Sequence, residues 1–109
     1  MPFKIKAHDR RPSIQTTLGF DGGGVPALTG SVAFIMRATG STGPPAIKAP
    51  AVVVDADAGT VRYDWQAGDT DLPGEYLAEW EVTDTAGLKM TFPTDAYDDV
   101  TIYADLDSA

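Results

Sequence analysis

The sequence predicts an all-β fold, an antiparallel sandwich of seven to eight short strands, on three observations. Apolar residues alternate with polar ones in several segments, the two-residue period of a strand with one face on a core. Clusters of Gly, Pro, Asp and Ser punctuate these segments at intervals of roughly ten residues. No segment sustains a helical period.

Taken in order, residues 12–18 alternate, with Ile14, Thr16 and Leu18 facing inward. Residues 19–26, with three consecutive glycines, are a turn and loop, since that much backbone freedom is costly to fix inside an element. Residues 31–37 form a second strand with Val32, Phe34 and Met36 on one side; Ala33 and Ile35 on the other suggest cover on both faces. Residues 38–45 (Ala-Thr-Gly-Ser-Thr-Gly-Pro-Pro) are the clearest loop. Residues 47–54 read as a strand that Pro50 either confines to a sheet edge or cuts into two pieces. Asp55 to Gly59 is a hairpin turn. It leads to residues 60–66, with Val61, Tyr63 and Trp65 on the core face.

Residues 67–74 are a corner, and residues 75–84 are the best strand. Tyr76, Ala78, Trp80 and Val82 share one face, and Leu77, Glu79, Glu81 and Thr83 the other. The approach Asp71-Leu72-Pro73-Gly74-Glu75-Tyr76 resembles the tyrosine corner of immunoglobulin-like sandwiches, in which the Tyr hydroxyl bonds back to corner backbone. Asp71, Gly74 and Tyr76 are therefore assigned to a structural corner. Residues 85–87 close a hairpin onto residues 88–92, where Leu88, Met90 and Phe92 share a face. Residues 93–99 connect to a last strand, 100–104, with Val100 and Ile102 inward. The whole is expected to be one domain over residues 1–109, with an N-terminal arm (1–11) and a frayed tail (105–109).

Composition narrows the chemistry. The chain has no cysteine, so a disulfide framework and a Cys-ligated zinc site are excluded. No apolar run approaches the ~20 residues that span a bilayer, and the first residues lack the apolar core of a signal peptide. Net charge is −8, which disfavours binding to nucleic-acid phosphates. The charge is uneven. Residues 1–62 hold seven of the eight basic residues and four of the sixteen acidic ones; residues 63–109 hold the remaining one and twelve. Unless it merely solubilises the surface, such asymmetry permits a positive and a negative side and head-to-tail packing of copies.

Catalytic and metal motifs are weak. His8 is the sole histidine, and it reads as an exposed terminal residue. No Gly-x-Ser-x-Gly elbow is present. Asp55-x-Asp57-x-Gly59 resembles the start of a calcium loop, but Thr60 and Gln66 stand where its Gly and Glu belong. Asp69, Asp71, Asp95, Asp98 and Asp99 are candidates for a calcium site at one end of the sandwich; ordinary loop aspartates are the simpler account. No cofactor and no enzyme activity are expected. Tyr63, Trp65, Tyr76 and Trp80 read as core and cross-strand partners before they read as a sugar-stacking surface.

Several stretches together resemble a family of small immunoglobulin-like proteins of tailed bacteriophages, in particular the N-terminal domain of baseplate upper proteins. They are Lys4-Ile5-Lys6 with Asp9 and Pro12; Leu28-Thr29-Gly30-Ser31-Val32-Ala33-Phe34-Ile35-Met36-Arg37; and Gly59-Thr60-Val61-Arg62-Tyr63-Asp64-Trp65 with Asp69-Thr70. Gly74-Glu75-Tyr76-Leu77-Ala78-Glu79-Trp80-Glu81-Val82 and Thr91-Phe92-Pro93 complete the set. His8 stands where the family commonly has Gly. The resemblance implies a non-enzymatic structural component of a virion, of the tail, baseplate or capsid, made in the host cytoplasm and acting by assembly with other virion proteins and with copies of itself. No nucleic-acid or membrane partner is expected. The N-terminal arm and the 38–45 loop are the expected contact regions, with Lys4, Lys6, Arg10, Arg11, Ser41 and Thr42 as contact residues. A carbohydrate- or host-surface-binding module is the alternative, and it requires exposed aromatics near a loop cluster.

Overall fold

The computed structural model describes residues 2–20, 22–93 and 97–106. They form nine strands in two sheets and no helix. The strands are β1 (Phe3–Lys6), β2 (Ile14–Thr17), β3 (Ser31–Ala38), β4 (Ile47–Pro50), β5 (Val52–Asp55), β6 (Thr60–Tyr63), β7 (Gly74–Thr83), β8 (Lys89–Phe92) and β9 (Asp98–Tyr103). The larger sheet runs β1-β9-β7-β3-β4, with β8 also paired to β7; the smaller runs β2-β6-β5. The all-β sandwich is therefore present, with more strands than the alternation resolves. One pair departs from antiparallel order: β1 runs parallel to β9.

β7 organises the larger sheet. All of β3 pairs with it, from Ser31↔Thr83 to Ala38↔Tyr76. On its other side, the first half pairs with β9 and the second half with β8. Strict alternation from Tyr76 to Thr83 makes this possible, because over those eight residues β7 keeps one face on the core.

Pro50 divides two strands rather than interrupting one. β4 pairs with β3 in the larger sheet, and β5 pairs with β6 in the smaller. The chain crosses between layers at Ala51, whose N–H still donates to the Val32 carbonyl (2.8 Å). Proline lacks an N–H, so it suits a strand end where ladder bonding stops.

Both sheets contribute to an aromatic core. Phe34 from β3 stacks on Tyr63 from β6, with ring centroids 4.6 Å apart. It meets Trp80 edge-on at 4.9 Å and Trp65 at 5.8 Å. Trp65 is 1% exposed and Trp80 is fully buried. Val32, Met36, Val61, Ala78, Val82, Val100 and Ile102 fill the space around them. Leu88 departs from the expected alternation: it is 67% exposed, because the chain is still turning there and β8 begins one residue later.

Candidate functional site

The N-terminal segment is tied down almost residue by residue. The Ala7 N–H donates to the Tyr103 carbonyl (2.7 Å), and the His8 N–H to the Thr70 carbonyl (3.1 Å). The buried Thr70 hydroxyl donates to the Asp9 carbonyl (2.8 Å). Arg10 Nε donates to the Trp65 carbonyl (3.1 Å), and the Trp65 indole N–H returns to the Pro12 carbonyl (3.1 Å). Residues 3–6 of the expected arm are a strand, and residues 7–12 are a strap across the end of the sandwich.

This strap places Arg10 and Arg11 beside β6. The β2–β6 pairing sets Gln15 opposite Arg62 and brings Ser13 to Asp64. An open cleft of about 780 Å³ results, lined by Arg10, Arg11, Pro12, Ser13, Arg62, Asp64, Trp65 and Gln66. Asp64 is its carboxylate. Its Oδ1 accepts from the Ser13 hydroxyl (2.6 Å) and from Arg62 Nε (2.8 Å), and Oδ2 accepts from Arg62 Nη2 (3.3 Å). The Ser13 hydrogen bond, followed by Arg62, holds the Asp64 carboxyl below its ordinary value. A second groove, of about 280 Å³, adjoins the first and shares Arg11 and Pro12 with it. Lys4, Ile5, Lys6, Asp9 and Tyr103 complete its lining.

Five of the eight basic residues thus line two adjoining clefts: Lys4, Lys6, Arg10, Arg11 and Arg62. Asp9 and Asp64 are the carboxylates in those linings, so five positive charges against two negative leave a formal +3 on a chain of net −8. Four of the five are among the expected contact residues. Arg62 is not. It lies 51 positions after Arg11, and only strand pairing brings the two together; the signal in the sequence is an arginine on the outward face of a strand whose alternate residues are core. Ser41 does not join this corner. It lines a separate cleft with Ile35, Arg37, Ala38, Gly40, Leu77, Glu79 and Tyr97, and its hydroxyl accepts from the Gly43 N–H (3.3 Å). Thr42 is exposed in the same loop.

At the corner after β6, the Tyr76 hydroxyl donates to the Leu72 carbonyl (2.7 Å). Gly74 there has φ of 150°. Asp71 does not take part in that bond; its Oδ1 lies 3.8 Å from His8 Nε2. Asp69 accepts from the Tyr63 hydroxyl (2.6 Å) and from the Gln66 N–H (2.7 Å). Asp98 accepts from the Trp80 indole N–H (3.2 Å). Among the described residues, no three His, Cys, Asp or Glu side chains are grouped to hold a metal ion; Asp95 lies outside those residues. The aromatics on which a sugar-stacking surface depends, Tyr63, Trp65, Tyr76 and Trp80, are all buried.

The fold is that of a β-sandwich protein. Among solved structures, the chain is similar to CopC from Methylosinus trichosporium OB3b, with a TM-score of 0.55 and 13% identity over 97% of this chain and 87% of that one. At that identity the likeness is one of fold. No family model and no curated protein matches the sequence. These findings overturn the virion reading. The solved structure is of a bacterial protein and not of a phage component, so the assignments to tail, baseplate or capsid and the location in a virion are withdrawn. The physical reason is visible in the motifs. Gly-x-Tyr-x-Ala-Glu-Trp-Glu-Val and Ser-Val-Ala-Phe-Ile-Met record which positions of β7 and β3 face the core. Any sandwich of this size needs such alternation, so the motifs report a packing scheme rather than an ancestry.

Proposed function

We propose that this protein is a non-enzymatic binding module whose working surface is the cationic corner formed by Lys4, Lys6, Arg10, Arg11 and Arg62, and that its partner is an acidic protein segment. The observation that carries this reading is the concentration of five of eight basic side chains around two joined clefts on an otherwise acidic chain. Net repulsion keeps most anions away, and a local reversal of sign orients the one partner that fits. Arginine suits the role because its planar fork engages carboxylates in pairs of hydrogen bonds. The polar groups beside the corner are already engaged in holding the fold: Ser13 with Asp64, and Asp69 with Tyr63. That favours binding over turnover.

The test is a fluorescence titration with a labelled poly-glutamate chain. Binding is expected at low ionic strength, falling steeply as salt is added. Lys6→Glu/Arg11→Glu changes side chains outside the hydrogen bonds described above, and it should weaken binding at least about tenfold. Equal binding by both forms, or none by the original protein, overturns the reading.

A further inference from the structure

We propose that the acidic partner binds by strand addition: an extended segment joins the open edge of β1 as a further strand of the larger sheet. This rests on the cationic-corner reading and specifies its geometry.

β1 has one hydrogen-bonded neighbour, β9. In a parallel pair, alternate residues of an edge strand bond the neighbour, and those between face away. The Ala7 N–H bonds the Tyr103 carbonyl, so Phe3, Ile5 and Ala7 are the residues turned toward β9. The N–H and C=O of Lys4 and the N–H of Lys6 therefore point to the open edge. The Lys6 carbonyl is taken by the Asp9 N–H (3.2 Å). The groove along β1 is lined by three consecutive residues of that strand, by Asp9, Arg11 and Pro12 of the strap, and by Tyr103 of β9 on the paired side.

Other edges are spoiled, uncharged or already neutralised: β8, paired only to β7, carries Lys89 as its one charge, and that ammonium lies 3.6 Å from Glu81 Oε1. β4 ends in Pro50, and β5 shifts register between Val53 and Asp55; both devices discourage added strands. β2 carries no charged side chain. β1 has neither a proline nor a bulge. Its protection is Lys4 and Lys6, which repel indiscriminate pairing but select a strand of opposite charge. Their side chains lie on the outer sheet face, two residues apart, while Ile5 between them is buried. The matching occupant carries Asp or Glu at alternate positions, beside Lys4 and Lys6, with uncharged residues between.

The test uses the full chain and a short capped peptide alternating Glu and Val, with a Lys–Val peptide as control. Lys4→Pro removes the outward N–H and the charge; Lys4→Gln removes the charge alone. Strand addition predicts that Lys4→Pro binds the Glu peptide roughly fivefold more weakly than Lys4→Gln does, the effect of one lost ladder bond. It also predicts that N-methylation along one edge of the peptide abolishes binding, while methylation along the opposite edge is tolerated. This second result is independent of whether Lys4→Pro folds. Equal affinity of the two variants, with both methylated peptides still bound, overturns strand addition and leaves the charge-based reading standing. Absence of Glu-peptide binding at low salt overturns both, as does equal binding of the Lys peptide.

Discussion

Tyr63 shows how one residue serves both core and corner. Its ring stacks on Phe34 inside the sandwich, while its hydroxyl reaches Asp69 at 2.6 Å. Burial first, and then the hydrogen bond to Asp69 and that residue's charge, push the phenol above its ordinary value of 10.0. The unfolded chain ionises near that value and the folded one does not. Stability is thus untouched by this group below about pH 10 and falls as pH rises above it. Thermal melts of Tyr63→Phe between neutral and strongly alkaline pH should show a shallower alkaline decline than the original protein; an identical decline places the alkaline sensitivity elsewhere. Tyr76 is simpler. Its hydroxyl closes one bond to the Leu72 carbonyl, and Tyr76→Phe should cost about 0.5–1.5 kcal/mol in urea unfolding. Gly59 is fixed by space as well as by its φ of 77°: a Cβ there would lie 2.7 Å from both the Leu18 carbonyl oxygen and Val25 Cγ1. Gly59→Ala should cost about 1–3 kcal/mol, since both the left-handed backbone and a close backbone approach oppose it.

At the scale of elements, local alternation was readable and partnership was not. β3, β6 and β7 present the core residues that their two-residue period predicts, because burial of one face is a property of the strand itself. Pro50 is compatible with an edge strand or with two pieces, and it carries no sign that the pieces join different sheets, which depends on what β3 and β6 offer as neighbours. β1 has too few residues for a period to show, and its parallel union with β9 joins opposite ends of the chain. The same argument ranks the strands by protection. β7 is paired on both sides along most of its length and its core face is closed, whereas β2 and β5 are short edges of a three-stranded sheet. Native-state hydrogen exchange should find the slowest amides in β3 and β7 and much faster ones in β2 and β5. Uniform protection across the two sheets would contradict that hierarchy.

At the scale of the molecule, the asymmetry of charge along the sequence becomes a surface only through folding. Lys4, Lys6, Arg10 and Arg11 are close in sequence, and their grouping was legible; Arg62 and Asp64 complete the corner because β2 pairs with β6 and the strap bonds to Trp65. What that corner binds turns on whether the chain's own acidic residues can fill it. Two copies approach each other with −8 apiece, and at physiological salt the Debye length of about 8 Å leaves that repulsion effective near contact. The local reversal of sign, a formal +3, offsets it in only a narrow range of orientations. The purified protein should therefore scatter light as a single chain of 11.5 kDa at physiological ionic strength, and its corner should remain open to an acidic segment from another protein. A mass of two chains that dissociates on adding salt would instead assign the corner to a second copy, with the oriented attraction outweighing the net repulsion. A dimer indifferent to salt would place the contact on apolar surface and remove the corner from self-association altogether.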